Sequence, residues 1–269
     1  MTATPVELSV VVPAYREAER ISDSLRQIDA YLAARASGAE IVVVDDGSSD
    51  DTANVVREIA RGLVTPLRLL ISQRNRGKGH ALKLGFAASR GARILFTDAD
   101  LSTPIECADA VLAPLDEGFD LVLGSRKMEG ARLEIRQPWL RESLGKVFTR
   151  IARVLIADVS DVTCGFKAFR GDVGRDLFSR VRIDDWSFDA ELLLISVHRG
   201  CRFTEVPVAW QDRAGTKVRL VRDILSTLAG LATMRIHLAL GRYAEPAPHG
   251  AFSSEELGAS AGVADGTVG

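Results

Sequence analysis

The chain has 269 residues, 46% hydrophobic and 26% charged, with a formal net charge of -2. That length holds one large α/β domain or a domain with a small appendage, and the near-neutral charge gives no global field for nucleic acid. Cys107, Cys164 and Cys201 are far apart with no metal-ligand spacing, so they are expected to be reduced thiols of a cytosolic protein.

The N-terminus runs almost at once into a β-branched segment, Leu8 to Val12 closed by Pro13, with no basic region before an apolar stretch, so no signal peptide is expected. Ile21, Leu25, Ile28 and Leu32 recur at spacings of three and four and predict an amphipathic helix over 16–34. A second strand over 41–44 ends in Asp45, Asp46, Gly47 and Ser48, and a helix follows from Asp50 to about Arg61. Strand 67–72, helix 80–89, strand 93–97 and strand 121–124 continue the alternation. Such nearly all-apolar strands between helices predict a mainly parallel sheet covered on both faces, which binds ligands beyond the carboxyl ends of its strands.

The polar residues gather at those ends: Pro13 to Tyr15, Asp45 and Asp46, Asn75 to Lys78, Asp98 to Asp100, and Ser125 with Arg126. Asp98 and Asp100 can offer oxygens to a hard divalent cation that takes phosphate oxygens as its other ligands. A strand-to-helix turn accounts for Gly47 as the bend and Asp50 as the cap, but not for two adjacent carboxylates. The loop Asn75 to Gly79 has the glycine and basic content to cradle a diphosphate, and reads equally as a solvated turn; it lacks P-loop spacing.

After Lys127 the pattern changes. An amphipathic helix is expected over 139–158, with Arg141, Lys146, Arg150 and Arg153 among its residues, then a strand over 202–210 and an amphipathic helix over 218–242. Either helix could lie at a membrane surface or pack on the domain. The longest uncharged apolar run near the C-terminus, 224–234, is short of the roughly 20 residues that span a bilayer. Beyond Glu245 the Ala-, Gly- and Ser-rich composition predicts a disordered tail. The expected division is therefore a catalytic domain over 1–217, a membrane-surface helix over 218–243 and a tail over 244–269.

Several segments together resemble the family-2 glycosyltransferases of the GT-A fold: Val10 to Glu17, Val43 to Ser48, Asn75 to Gly79, Asp98 to Asp100 and Gly124 to Arg126. Asp161 to Lys167, Trp186 to Leu192, Glu205 to Trp210 and Gly215 to Lys217 extend the match in the same order. Within that family the chain looks most like the polyprenyl-phosphate sugar synthases, particularly the dolichyl-phosphate β-glucosyltransferase branch. The resemblance implies that Pro13, Tyr15, Glu17 and Asp46 meet the nucleotide base and ribose, with Ala14, Asp45, Gly77 and Ala99 in the same binding segments. It puts Lys78 near the uracil or diphosphate, and Asp98 and Asp100 at a Mg2+ or Mn2+ ion, Asp100 more directly. Arg126 and Arg141 would meet the acceptor phosphate, and Arg213 and Lys217 would close over the donor. Asp161 and Asp189 are the remaining acidic candidates, each with a turn-capping or helix-dipole alternative.

One position departs from the pattern: mannosyl-transferring relatives carry a metal-binding Gln where Ser102 stands here; the glucosyltransferase branch also lacks that Gln, which favours UDP-glucose over GDP-mannose. The implied partners are a nucleotide-sugar donor, a polyprenyl or dolichyl phosphate acceptor and the cytoplasmic face of a membrane, contacted peripherally, either directly or through a separate membrane-protein tether. No nucleic acid is expected. Competing readings are another donor (a UDP-N-acetylhexosamine or GDP-mannose), a soluble glycan acceptor, or a sugar-nucleotide-binding regulator without catalysis.

Overall fold

The computed structural model describes residues 5–35, 38–133, 158–185, 187–211, 230, 232–247 and 252–257. The strands are β1 (Leu8–Ala14), β2 (Ala39–Asp45), β3 (Leu67–Ser72), β4 (Arg93–Thr97), β5 (Leu121–Ser125), β6 (Arg132–Leu133), β7 (Phe166–Arg170), β8 (Phe203–Pro207), β9 (Ala209–Trp210) and β10 (Phe252–Leu257). The helices are α1 (Ile21–Ala33), α2 (Thr52–Ala60), α3 (Lys78–Ala88), α4 (Ala108–Asp116), α5 (Gly171–Arg180) and α6 (Phe188–His198). Eight strands form one sheet in the order β10-β3-β2-β1-β4-β7-β5-β8, and β6 pairs with β9 apart from it. The neighbours from β3 through β2 and β1 to β4 are parallel, as are β5 and β8; β7 and β10 run antiparallel.

Side chains alternate across a strand, and β1 shows the result. Val10 and Val12 enter a core beneath α1, α2 and α4, while Val11 enters a second core beneath α3, α5 and α6. The second core centres on Phe86, Phe96, Phe169, Phe178 and Phe188; Phe86 stacks on Phe178 at 3.8 Å and meets Phe169 edge-on at 5.2 Å. Burial on both faces is why the strands read as unbroken apolar runs.

Two local departures from the sequence reading have clear causes. The first helix begins at Ile21, five residues late, because Arg16 adopts a left-handed φ of 57°. The N–H groups of Arg16, Glu17 and Ala18 turn instead to Ser48 Oγ (2.9 Å), Thr52 Oγ1 (2.9 Å) and Asp50 Oδ2 (3.4 Å). The expected strand over 202–210 divides into β8 and β9, which belong to different sheets.

The expectation of a disordered tail fails at β10. Phe252–Leu257 pairs antiparallel with β3 along its full length. Backbone hydrogen bonds need no large apolar side chains, and charge completes the fit: Glu255 meets Arg57 at 2.7 and 2.8 Å, and Glu256 lies 3.8 Å from Arg68 and pairs with Arg90 at 2.5 Å. The helix expected over 139–158 lies outside the described residues but for Asp158, as does the boundary at 217. Of the helix expected over 218–242, residues 230 and 232–242 are described; 230 and 232–239 are helical, and the chain turns at 240–241.

Candidate active site

The parallel strands β1, β2 and β4 end side by side, delivering Ala14, Asp45 and Thr97 to one edge. Because β7 is antiparallel, its start reaches that same edge: Phe166 lies opposite Thr97 and Lys167 opposite Leu123. The loop ahead of β7 therefore brings Asp161, Thr163 and Gly165 to the polar residues that follow β4 and β5.

Asp98 is the hub. Its Oδ1 accepts from Lys78 Nζ at 2.5 Å. A Cβ placed on Gly165 would stand 2.0 Å from Asp98 Oδ2, so only glycine leaves that carboxylate in its cradle. Lys78 sits against its own burial, which works to remove its charge; Asp98 and then Asp189 override that and hold the ammonium above the ordinary lysine range. Below it, Lys167 is 1% exposed and pairs with Asp189 Oδ1 at 2.6 Å while donating to the Cys164 carbonyl at 2.5 Å. Both lysine nitrogens lie over the Phe96 ring, 5.6 and 5.3 Å from its centroid. Burial pushes the Asp189 carboxyl up despite Lys167 and Lys78. Asp189 is 3% exposed with one oxygen taken by Lys167, so it balances charge from within rather than facing solvent as a free base.

Ala99 is buried, and Asp100 accepts the Ser102 N–H at 2.9 Å, the turn being closed by a left-handed Leu101 (φ 47°). Among the described residues no three His, Cys, Asp or Glu side chains gather as a metal site. Asp98 and Asp100 follow β4 one residue apart and could offer two carboxylates. That suits a hard cation whose remaining ligands are phosphate oxygens and water.

A second centre lies beside it. Arg126 grips Asp161 with two bonds, Nε to Oδ2 at 2.7 Å and Nη2 to Oδ1 at 2.9 Å, and also donates to Thr163 at 3.1 Å. Asp161 is 0% exposed; burial opposes its charge, and Arg126 outweighs that to hold the carboxyl below its usual range. Burial likewise opposes the Arg126 charge, and Asp161 secures it. Glu205, on β8, fixes the turn by accepting from Ser160 N at 2.7 Å and Asp161 N at 3.1 Å.

The residues after β2 do different work. Asp45 Oδ1 accepts the Ser48 N–H at 2.9 Å and forms the turn. Asp46 is 2% exposed, and its Oδ2 accepts the N–H groups of Arg76 (3.0 Å) and Gly77 (2.6 Å). Its hydrogen bonds in the structure thus hold the loop that carries Lys78. Gly77, at φ 119°, is required there. Pro13, Ala14 and Tyr15 border the same edge, and Glu17 is paired with Arg20. Arg141, Arg213 and Lys217 lie outside the described residues.

Sequence reasoning passed over Lys167, Thr163, Glu205 and Asp184 as site residues. Lys167 had a signal: a lysine between Phe166 and Phe169 in a buried strand demands a carboxylate partner.

The strand order, the covered sheet and an acidic and basic cluster at the carboxyl edge define a GT-A-type nucleotide-sugar transferase fold. The chain belongs to glycosyl transferase family 2, whose family match covers residues 9–178. Among curated relatives, the dolichyl-phosphate β-glucosyltransferase ALG5C of Trichomonas vaginalis is 38% identical over 229 residues, 80% of this chain and 67% of that protein. The human dolichyl-phosphate β-glucosyltransferase is 31% identical over 79% of this chain and 69% of its own length. Glycosyltransferase AglD of Haloferax volcanii is 33% identical over 83% of this chain, which spans 36% of that protein. Among solved structures, glucosyl-3-phosphoglycerate synthase from Mycobacterium tuberculosis with UDP superposes at a TM-score of 0.64 and 21% identity, over 90% of this chain and 82% of that one. The same synthase has been crystallised with Mn2+, UDP-glucose and phosphoglyceric acid.

Proposed function

We propose that the protein is an inverting glucosyltransferase that moves glucose from UDP-glucose to a polyprenyl or dolichyl phosphate at the cytoplasmic face of a membrane. The observation that carries this reading is the edge cluster of Lys78, Asp98, Asp100, Arg126 and Asp161 in a chain whose relatives over most of its length are dolichyl-phosphate β-glucosyltransferases. An oxygen of the lipid phosphate attacks the anomeric carbon as that carbon's bond to the UDP β-phosphate oxygen breaks, and UDP departs. The phosphate nucleophile is largely ionised near neutral pH, so no strong base is needed, in keeping with the buried, ion-paired state of Asp189.

What the site must do is bring two anions together. Among the described residues Lys78, Lys167, Arg126 and Lys127 pair with Asp98, Asp189 and Asp161, and Asp100 adds a fourth negative charge near Lys78. Such a neutral site has little charge to spare for a diphosphate and a monophosphate. Asp98 and Asp100 would hold Mg2+ or Mn2+, which when bound neutralises charge on the leaving diphosphate. Lys78 holds Asp98 in place, Arg126 meets the acceptor phosphate from its Asp161 mount, and Arg141, Arg213 and Lys217 supply the remaining positive charge.

The test is to incubate purified protein with radiolabelled UDP-glucose, Mg2+ or Mn2+, and polyprenyl phosphate in detergent, and to recover lipid-linked glucose. Parallel arms hold GDP-mannose or UDP-N-acetylglucosamine as donor and 3-phosphoglycerate as a soluble acceptor. Glucose in the lipid fraction is expected. Turnover with the soluble acceptor alone, or with another donor alone, overturns the reading.

A further inference from the structure

The loop Asn75 to Gly79 is held between two carboxylates that come from opposite sides. Asp46 takes the Arg76 and Gly77 N–H groups from the β2 side. Asp184, in the connection between α5 and α6, takes the other side. Its Oδ2 accepts from Arg76 Nη2 at 2.8 Å and Nε at 3.2 Å, and its backbone carbonyl accepts the Gly79 N–H at 2.9 Å. The fit is close: a Cβ on Gly77 would stand 2.4 Å from the Asp184 carbonyl oxygen, and one on Gly79 2.6 Å from that of Ile183. Asp184 Oδ1 lies 2.7 Å from Lys83 Nζ, and Lys83 is 5% exposed. Asp184 is therefore both a clamp on the loop and the counter-ion of a buried ammonium. Lys78, the residue after the clamp, reaches Asp98 from this loop.

We infer that Asp184 is a positioning residue for the donor: it fixes the 75–79 loop so that Lys78 and the loop N–H groups are preset for the nucleotide diphosphate. The inference rests on the donor reading above. Asp184 does not itself touch the donor; it acts through Arg76 and Gly79. Since the bound shape of the loop is then formed before the ligand arrives, ordering costs are removed from binding.

Asp184→Asn alone would leave Lys83 buried without its counter-ion and could unfold the protein, so the decisive variant is Asp184→Asn with Lys83→Met. It removes the buried charge together with its partner and leaves Arg76 at most a neutral amide oxygen in place of a carboxylate. Three quantities are measured on this variant and the unaltered chain: the melting temperature, hydrogen exchange of the peptide spanning 75–79, and the Kd for UDP with Mn2+ by calorimetry. The expected result is a melting temperature near that of the unaltered chain, exchange of the 75–79 amides at least fivefold faster, and UDP bound at least fivefold more weakly. Asp184→Glu, which keeps a carboxylate for Arg76 and Lys83, is expected to retain most of the affinity. Unchanged exchange overturns the clamp, and faster exchange with unchanged UDP affinity overturns its role in donor binding. An unaltered chain that binds neither UDP nor UDP-glucose overturns the donor reading and this inference with it, an outcome distinct from a variant that matches a binding-competent parent.

Discussion

Arg126 and Asp161 show how a pair of side chains in this site depends on its surroundings. Asp161 is wholly buried, so its charge is tolerable only with the guanidinium in place; removing one partner of such a pair costs about 3–5 kcal/mol. The folded-state carboxyl is held below its unfolded value. The folded protein thus binds this proton less tightly than the unfolded chain does, so the stabilisation is complete above about pH 4 and is lost as pH falls through the folded value. In Arg126→Gln burial is opposed only by Lys127, 3.9 Å from Asp161 Oδ1, and by the residue-126 N–H, so the carboxyl is expected to rise. Urea unfolding should therefore show a large stability gap between the two proteins at pH 7 that narrows markedly at pH 3. A gap of constant size would mean that Asp161 is not its source.

At the level of elements, the C-terminal helical stretch is fastened to the domain by Glu191 of α6. Glu191 is 0% exposed, and accepts the N–H groups of Arg182 (2.9 Å) and Ile183 (2.8 Å) on one oxygen and the Tyr243 hydroxyl (2.7 Å) on the other. Arg180 and Arg182 add bonds to the backbone carbonyls of Tyr243 and Arg242. Tyr243→Phe removes one donor from a buried carboxylate, and a loss of about 1–3 kcal/mol is expected in urea unfolding. A change below about 0.5 kcal/mol would mean water replaces the hydroxyl. How much was legible follows the same divide between local pattern and distant partner. Strands β1 to β5 announce themselves through apolar runs, α1 through its spacing of three and four, and α2 and α3 through their place between such strands; Asp98 and Asp100 stand out by following β4. Phe166–Arg170 does not: Lys167 and Arg170 interrupt it, and its antiparallel seat between β4 and β5 depends on Asp189, which is 22 residues away. Asp46 could be read from the sequence as lying at the sheet edge but not as a loop anchor, because the partners of its carboxylate lie 30 residues downstream. β10 was illegible since an edge strand held by backbone bonds and Glu–Arg pairs needs no apolar pattern.

For the molecule as a whole, the question is which surface meets a lipid acceptor. Among the described residues no helix is long and apolar enough to cross a membrane. In the C-terminal helical stretch Met234 is buried and Leu238 packs against the second core, facing inward with Gly230, which lies against Ser187. Ile236 and Leu240 remain 57% and 61% exposed, and Arg235 and Arg242 are exposed near them. Apolar side chains flanked by arginines suit the boundary of an anionic bilayer. Burying one large apolar side chain is worth roughly 1.5–3 kcal/mol. Ile236→Ser with Leu240→Ser should therefore lower co-sedimentation with vesicles of equal anionic and zwitterionic lipid by about tenfold or more, while UDP affinity stays as it was. Undiminished sedimentation would assign the contact to another face.

Order of synthesis gives β10 a further consequence. It is made after every other described element, yet it supplies the outer neighbour of β3. Until residues 252–257 have emerged from the ribosome, the N–H and C=O groups along that side of β3 have no strand of this chain to pair with, although the other strands of the sheet precede β10 in the sequence. The nascent protein therefore passes through a stage at which its sheet is open to strands from neighbouring chains. Slow translation between β8 and β10 would lengthen that exposure, and crowding of polysomes would make it more hazardous.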